Sequence, residues 1–374
     1  MPRDVRLIAP RVVNLKVAED LLARLAGHTV SDWEVLLDLT QCQRVDVGAG
    51  YRLGNALRRA KQFASFAVLV GDEDFERGAS DRWFLAFTRS GLGPAISAHI
   101  DTVLSESGAN VAHQLKAYYR RTLDLPAQNA VYFLNVHLGR LDIEDENRFG
   151  KTIFDQFRNL NVSTESFGVD GRASLVALCF EAVQNTFDHA AKAPLSGDVQ
   201  ILSYVSLRYY RRLSRPEEPA FGAYLSRLGT DEERSSMRFL EIVVNDDGVG
   251  IPGRQSSSMD TYWGKLDEEE RTLEVALKHG SVKLLAADSK IRGGVAGKGF
   301  TRIREGLHLL RAFASVRTGR CLATFSGVSH RQSQFRLQRG EFGLPLAYMP
   351  GTALQIVIPF RAPETETQVQ PSLF

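Results

Sequence analysis

In the segment Leu178-Cys179-Phe180-Glu181-Ala182-Val183-Gln184-Asn185-Thr186-Phe187-Asp188-His189, the residues Glu181, Asn185 and His189 stand four apart. On a helix they share one face. Its flanks, Ala177, Leu178 and Val183, are apolar. Polar groups in such a setting need partners, and a hydrated metal ion carrying phosphates would supply them. The Asn185 carbonyl is a neutral oxygen ligand suited to Mg2+, and a carboxylate such as Glu181 can orient or deprotonate water. Taken alone, the same spacing also describes the solvated face of an ordinary amphipathic helix.

Two glycine-bearing segments could complete a site. In Glu241-Ile242-Val243-Val244-Asn245-Asp246-Asp247-Gly248-Val249-Gly250-Ile251-Pro252-Gly253, a buried strand delivers a carboxylate at its end and alternate glycines make a tight turn. Asp246 there could accept the amino hydrogens of an adenine, with Gly248 and Gly250 letting the base approach the backbone. An Asp-Gly turn closing a hairpin would look the same. In Arg292-Gly293-Gly294-Val295-Ala296-Gly297-Lys298-Gly299-Phe300-Thr301-Arg302-Ile303, glycines and Lys298 precede a helix, whose free N–H groups form an anion cradle. A mobile glycine loop is the alternative, and the spacing is not that of a P-loop.

The elements that must position these residues follow from periodicity. Arg172 to His189 reads as a helix and Phe239 to Asn245 as a buried strand, with a long connection Ile251 to Gly299 that carries its own helix (Leu273 to His279). A helix from Arg302 to Phe313 and strands near Ala314 to Arg317, Leu322 to Ser326 and Ala353 to Pro359 follow. Phe149 to Leu160 is helical, Asp198 to Tyr210 alternates like a strand, and the polar stretch Arg211 to Ser236 reads as an insertion. Earlier, strands at Val12 to Leu15, Trp33 to Leu39, Phe66 to Val70 and Ala95 to Ile100 alternate with helices through Leu21, Leu22 and Leu25, through Leu53 and Leu57, and at Trp83 to Phe87. Such alternation implies an α/β layer with parallel strands. A helix from Asn110 to Leu123 bridges the two parts, stopped by Pro126, and residues 363–374 are polar without period.

The order and separations of the three segments resemble the N-box, G1 box and G2 box of the GHKL superfamily, which contains DNA gyrase, heat-shock chaperones, histidine kinases and MutL. Glu181 to Asn185 is similar to the Glu-x-x-x-Asn N-box, and Asp246, Gly248 and Gly250 to the Asp-x-Gly-x-Gly G1 box. Gly297-Lys298-Gly299-Phe300 stands where a Gly-x-Gly-Leu is usual, and Pro350-Gly351-Thr352 resembles the family's closing Gly-Thr strand. His189 is similar to the anti-sigma serine kinases of that superfamily and Asp188 to its gyrase and chaperone branch. The resemblance covers about residues 130 to 362. It implies an ATP site in which Asn185 coordinates Mg2+ and Glu181 activates the nucleophile. Asp246 and Thr352 would read adenine, and Gly294, Gly297, Lys298 and Gly299 would close over the phosphates beneath a lid, Ile251 to Gly299. Asp188 and His189 would belong to the same cofactor site.

The first part of the chain resembles a STAS domain of the anti-sigma-antagonist type, through Trp33 to Leu39, Val45-Asp46-Val47-Gly48-Ala49-Gly50 and the helix through Leu57. Those domains carry a phosphorylated serine in Asp-Ser-Ser-Gly; here Val47 and Gly48 replace the serines. The expected fold is therefore α/β throughout: a STAS-like domain over 1–108, a helical linker over 109–129, a Bergerat-type α/β sandwich over 130–362 with a mixed sheet and helices on one face, and a disordered tail over 363–374. The expected function is an ATPase whose nucleotide-driven lid acts as a switch on a protein partner. Alternatives are an anti-sigma-like serine/threonine kinase and a non-catalytic ATP-dependent scaffold in a bacterial stress or defence assembly. An ATP-dependent homodimer is implied by the resemblance alone.

Composition sets outer limits. The 374 residues suffice for two cores, and 44% apolar with 24% charged residues is ordinary for a soluble globular chain. With 46 basic against 44 acidic residues, the net charge of +2 does not point to nucleic acid. The one local hint is Tyr209-Tyr210-Arg211-Arg212 with Arg208 and Arg215, where aromatics and guanidiniums could meet a strand. No apolar run approaches the roughly 18 to 20 residues that span a bilayer, and Met1-Pro2-Arg3-Asp4 opens no signal peptide. Three scattered cysteines, Cys42, Cys179 and Cys321, read as reduced buried thiols of a cytoplasmic protein without a membrane partner.

Overall fold

A computed structural model of the chain describes residues 3–27, 33–60, 65–71, 92–122, 132–135, 145–159, 162–189, 203–210, 213, 215, 218–248, 250–253, 265–279, 299–328, 334–340 and 345–361. The fold is mixed α/β. Its first part runs β1 (Arg3–Ile8), β2 (Val12–Val13), α1 (Leu15–Gly27), β3 (Trp33–Asp38), β4 (Arg44–Val45), α2 (Val47–Ala60), β5 (Ser65–Val70), α3 (Leu92–His99), β6 (Val103–Ser105) and α4 (Ala112–Thr122). Strands β1, β3, β5 and β6 form a sheet in that order, every pairing parallel. The helices that return the chain between parallel strands supply its core, with Leu21, Leu22 and Leu25 from α1, Leu53 and Leu57 from α2 and Ile96 from α3, and α4, which follows β6, adds Leu115. Asn14 starts α1 by accepting the Val17 N–H at 3.0 Å. The bridging helix α4 thus contributes to the first core.

Residues 95–100 correct the expectation of a strand, because α3 covers them through His99. Leu92, Ile96 and Ile100 recur every fourth residue and are all buried, and the Ile100 N–H reaches the Ile96 carbonyl at 2.8 Å. A short apolar run hides that period, and Pro94 in the first turn suits a helix start. Residues 83–87, expected to be helical, lie outside the described residues, as does 363–374.

The second part runs β7 (Tyr132–Asn135), α5 (Glu146–Asn159), α6 (Gly168–His189), β8 (Ser203–Tyr210), α7 (Pro219–Leu228), α8 (Asp231–Ser236), β9 (Met237–Asp246), α9 (Gly250–Gly253), α10 (Leu266–His279), α11 (Gly299–Leu309), β10 (Phe313–Gly319), β11 (Cys321–Ser326), β12 (Arg336–Gln338) and β13 (Met349–Arg361). Among the described residues seven strands form one sheet in the order β12-β11-β10-β13-β9-β8-β7. One face carries Leu240, Ile242, Val244, Ala314, Val316, Leu354 and Ile356 into a core with α5, α6, α10 and α11, where Phe157, Leu178, Leu273 and Leu307 are buried.

Two features of this sheet depart from expectation. Every described pairing is antiparallel rather than mixed, because β13 inserts between β9 and β10, which would otherwise lie side by side as parallel neighbours. Nor are helices confined to one face. The burial of β9 runs on through both of its faces, from Phe239 to Asp247. On the second face Phe239, Phe313 and Val357 pack with Phe221, Tyr224 and Leu228 of α7, so the polar insertion contains a helix that builds a small core of its own. Further along the same face, α2 lies across β13 and β9.

The stretch of that face under α2 is polar and internally paired. Glu241 accepts from Tyr210 Oη, Gln355 Nε2 and Arg215 Nη2, all within the protein. Burial works to raise the Glu241 carboxyl, but Arg215 and these hydrogen bonds outweigh it and hold it below its usual value. Of the Tyr-Arg cluster that hinted at nucleic acid, Tyr210 and Arg215 are held in this interior network and Arg208 lies over the Tyr210 ring at 4.9 Å, while Arg211 and Arg212 lie outside the described residues. Arg317, fully buried on β10, holds Glu19 of α1 through Nε at 2.9 Å and Nη2 at 3.1 Å, and Arg52 of α2 reaches the same carboxylate at 3.1 Å. Among the described residues no helix is long and apolar enough to cross a membrane, and Cys42, Cys179 and Cys321 are free and buried.

Candidate functional site

Helix α6 runs 22 residues from Gly168 and packs on α11, on α5 and on β9. Its buried stripe, Leu175, Leu178, Cys179, Ala182 and Val183, faces the sheet. Glu181 and Asn185 stand beside that stripe, partly buried, and Gly299 at the start of α11 sits directly against both. A Cβ on Gly299 would lie 3.1 Å from Asn185 Oδ1, 3.2 Å from its Nδ2 and 3.1 Å from Glu181 Oε2. Glycine lets the helix start approach these two groups this closely without displacing either side chain. The Asn185 Nδ2 is buried and has no hydrogen-bond partner among the described residues. An orphaned amide at a helix start is the kind of group that a ligand satisfies.

Glu181 is held differently. Its Oε1 accepts from Arg302 Nη1, and Arg302 Nη2 also reaches both oxygens of Glu146, on α5, at 3.1 Å. Desolvation works to lower the Arg302 guanidinium, yet its hydrogen bonds to Glu146 and Glu181 prevail and keep it above its usual value. Arg302 carried no assigned role in the sequence. Its place is nevertheless legible there, because residue i+3 from Gly299 projects from the same side of a helix.

Asp246 ends β9 and its Oδ1 accepts the Gly248 N–H at 2.9 Å, which fixes the carboxylate at the mouth of the turn. Thr352 is its register partner across β13. Thr318 ties the two strands to the turn: its Oγ1 donates to the Gly351 carbonyl at 2.9 Å, accepts the Ile251 N–H at 3.1 Å and lies 3.3 Å from Thr352 Oγ1. Gly351 has φ +74°, and a Cβ there would come within 2.7 Å of the Asp246 carbonyl carbon and of Asp247 Cα. A glycine is obligatory at this contact. Gly250 also has positive φ, at +71°.

The structure thus brings Glu181, Asn185 and Gly299 together at one point, and Asp246, Gly248, Gly250 and Thr352 at another, with α6 packed on the strand that carries Asp246. Asp188 and His189 complete the last turn of α6. Gly294, Gly297 and Lys298 lie outside the described residues. Among the described residues no group of three or more His, Cys, Asp or Glu could hold a metal by itself. A cavity of about 480 Å³ elsewhere, lined by Leu213, Leu225, Arg234 and Phe239, lies on the far face of the sheet and involves none of these residues. Comparison with protein families, with characterised proteins and with solved structures finds no match for this chain.

Proposed function

We propose that the chain binds Mg-ATP between α6, the turn after β9 and the start of α11, and uses it as a switch on a protein partner. The observation that carries this reading is the seat of Gly299 on Asn185 and Glu181, which joins residues far apart in sequence at the start of a helix. Backbone N–H groups at such a start favour phosphate. The resemblance of Glu181, Asn185, Asp246, Gly248, Gly250 and Thr352 to the GHKL boxes supplies the identity of the nucleotide.

Asn185 offers a single neutral oxygen, which suits Mg2+, an ion that keeps several waters and shares phosphate oxygens rather than occupying a protein cage. When bound, Mg2+ supplies charge neutralisation at the phosphates. Asn185 would hold it through Oδ1, and its Nδ2 would gain a partner. Asp246, fixed by Gly248, would accept from the adenine amine, assisted by Thr352 across the strand pair. Glu181 would orient the attacking water, with Arg302 keeping its carboxylate in place. Hydrolysis would then reset the closure of the segment between β9 and α11.

This reading does not include phosphate transfer to α2, because Val47 and Gly48, which stand where the STAS resemblance would put serines, carry no hydroxyl. Val47, at the position of a STAS serine, is buried, and Gly48 beside it lies against Gln355 of β13. A decisive experiment incubates the full chain with radiolabelled Mg-ATP and follows both phosphate release and label on added proteins. Glu181→Gln should retain nucleotide and lose about 100-fold or more in turnover, the range of a missing general base. Asn185→Ala should lose Mg2+-dependent affinity. If Asn185→Ala binds and turns over ATP like the parent chain, the site is assigned wrongly.

A further inference from the structure

The turn that ends β9 is gripped from behind by the first part of the chain. Asn55, in α2, is buried between the two parts. Its Nδ2 group lies within donating distance of the Asp246 carbonyl (2.9 Å), the Pro350 carbonyl (3.0 Å) and Asn245 Oδ1 (3.1 Å), while its own Oδ1 accepts from Asn245 Nδ2 at 2.9 Å. One amide therefore spans the end of β9 and the glycine corner of β13, the two strands whose residues Asp246 and Thr352 pair. The neighbouring carboxylate is taken by a second residue. His99 Nε2, at the end of α3, donates to Asp247 Oδ2 at 2.5 Å, with both side chains buried.

The two consecutive aspartates thus divide their tasks. Asp246 turns its carboxylate to Gly248, and Asp247 turns its own to His99. A side chain that fixes the backbone carbonyl of Asp246 fixes the direction of its Cα–Cβ bond, and the Gly248 N–H then selects where the carboxylate on that bond points. We infer that Asn55 and His99 are positioning residues for the adenine end of the nucleotide site, so that docking of the parallel-sheet part sets affinity for the base. The inference rests on the reading of Asp246 as the adenine contact. By linkage, nucleotide tightens the same contacts that it depends on. Whatever partner pulls α2 or α3 away would release ATP through its adenine end and leave the phosphate groups' contacts with α6 and α11 untouched.

The test uses the full chain and three variants, Asn55→Ala, His99→Leu and the amide-bearing His99→Gln. Calorimetric titration with ATP and with inorganic tripolyphosphate separates the base from the phosphates. Asn55→Ala and His99→Leu should weaken ATP about tenfold, the cost of one buried hydrogen bond to a charged or backbone group, and leave tripolyphosphate unchanged. His99→Gln should recover part of the loss. Hydrogen exchange on the nucleotide-free protein gives a second readout, in which the Gly248 amide should exchange faster in the first two variants. Parallel loss of both ligands, or unchanged ATP affinity, overturns the inference while leaving ATP binding intact. A parent chain that binds neither ligand rejects the ATP site itself; the Gly248 amide then still shows whether Asn55 and His99 hold the turn, and unchanged exchange rejects that too.

Discussion

Replacing Gly299 by alanine separates folding from nucleotide binding. The added methyl would meet Asn185 Oδ1, Asn185 Nδ2 and Glu181 Oε2 at 3.1, 3.2 and 3.1 Å, a few tenths of an ångström inside ordinary contact. Both side chains must yield by that amount, which is small for the fold. Helix propensity acts the other way, since alanine gains up to about 1 kcal/mol over glycine in a helix interior and less at its first residue. The nucleotide-free protein should therefore keep its stability to within about 1 kcal/mol. Binding of the proposed Mg-ATP would have no such compensation, because the methyl would occupy the approach to the N–H groups and move the Asn185 carbonyl from the position proposed to hold Mg2+. Loss of one charge-assisted contact, about 1.5 kcal/mol, weakens affinity roughly tenfold. At a nucleotide concentration 100 times the parent Kd, ligand stabilises the parent by about 2.7 kcal/mol, and RT ln 11 leaves the variant about 1.4 kcal/mol. Chemical denaturation with and without Mg-ATP measures both numbers. An undiminished ligand effect in Gly299→Ala, with parent-like stability, would refute the argument that Gly299, Asn185 and Glu181 form the phosphate end.

Three further outcomes follow from the packing around this site. Glu19→Gln strands the buried Arg317 and Arg52 without their shared carboxylate and should cost about 3 to 5 kcal/mol in urea denaturation, unlike an exposed pair. Acid should act on the same contact. Burial works to raise Glu19, but Arg317 and Arg52 hold it below the ordinary glutamate value of 4.5, as Arg215 does for Glu241. Their stabilisation is present above about pH 4.5 and is lost as pH falls through the lower folded values, so a stability profile between pH 7 and pH 3 should drop steeply only below that point in the parent and more gently in Glu19→Gln. Phe221→Ala removes a fully buried ring from the small core on the second sheet face and should destabilise by about 3 to 5 kcal/mol by differential scanning calorimetry, which a solvated insertion would not.

Local pattern carried much of this molecule. The 3.6-residue period of Leu175, Leu178, Cys179 and Ala182 announces α6, and the strand-then-glycine pattern places Asp246 at the end of β9. The helix expected over Arg302 to Phe313 is present as α11 but is shifted, starting at Gly299 and ending at Leu309, with Phe313 already in β10. What escaped was set by distant chain. Asn55 reads as a polar interruption between Leu53 and Leu57, because α2 is buried nearly all round and periodicity cannot name its partners. His99 was lost with the helix around it, where a short apolar run serves strand and helix alike. Coverage of both faces of the large sheet was hidden too. The second face mixes Phe239 and Val357 with Glu241, Asn245 and Gln355, and a polar set of that kind looks solvated until Arg215, Tyr210 and Asn55 are seen to satisfy it.

The central place of β13 has a consequence for how this protein is made. It follows the other described strands of its sheet in sequence, yet it separates β9 from β10 and supplies hydrogen bonds to both. During synthesis, those two strands must wait with open edges, or pair with each other in the wrong arrangement, until the last strand emerges from the ribosome. Closure over such sequence distances is slow, and the half-built sheet is the stage most exposed to aggregation. Dependence on chaperones should therefore be concentrated in the interval before Met349 to Arg361 is released, and ATP, whose proposed site needs Thr352, could bind only after that interval ends.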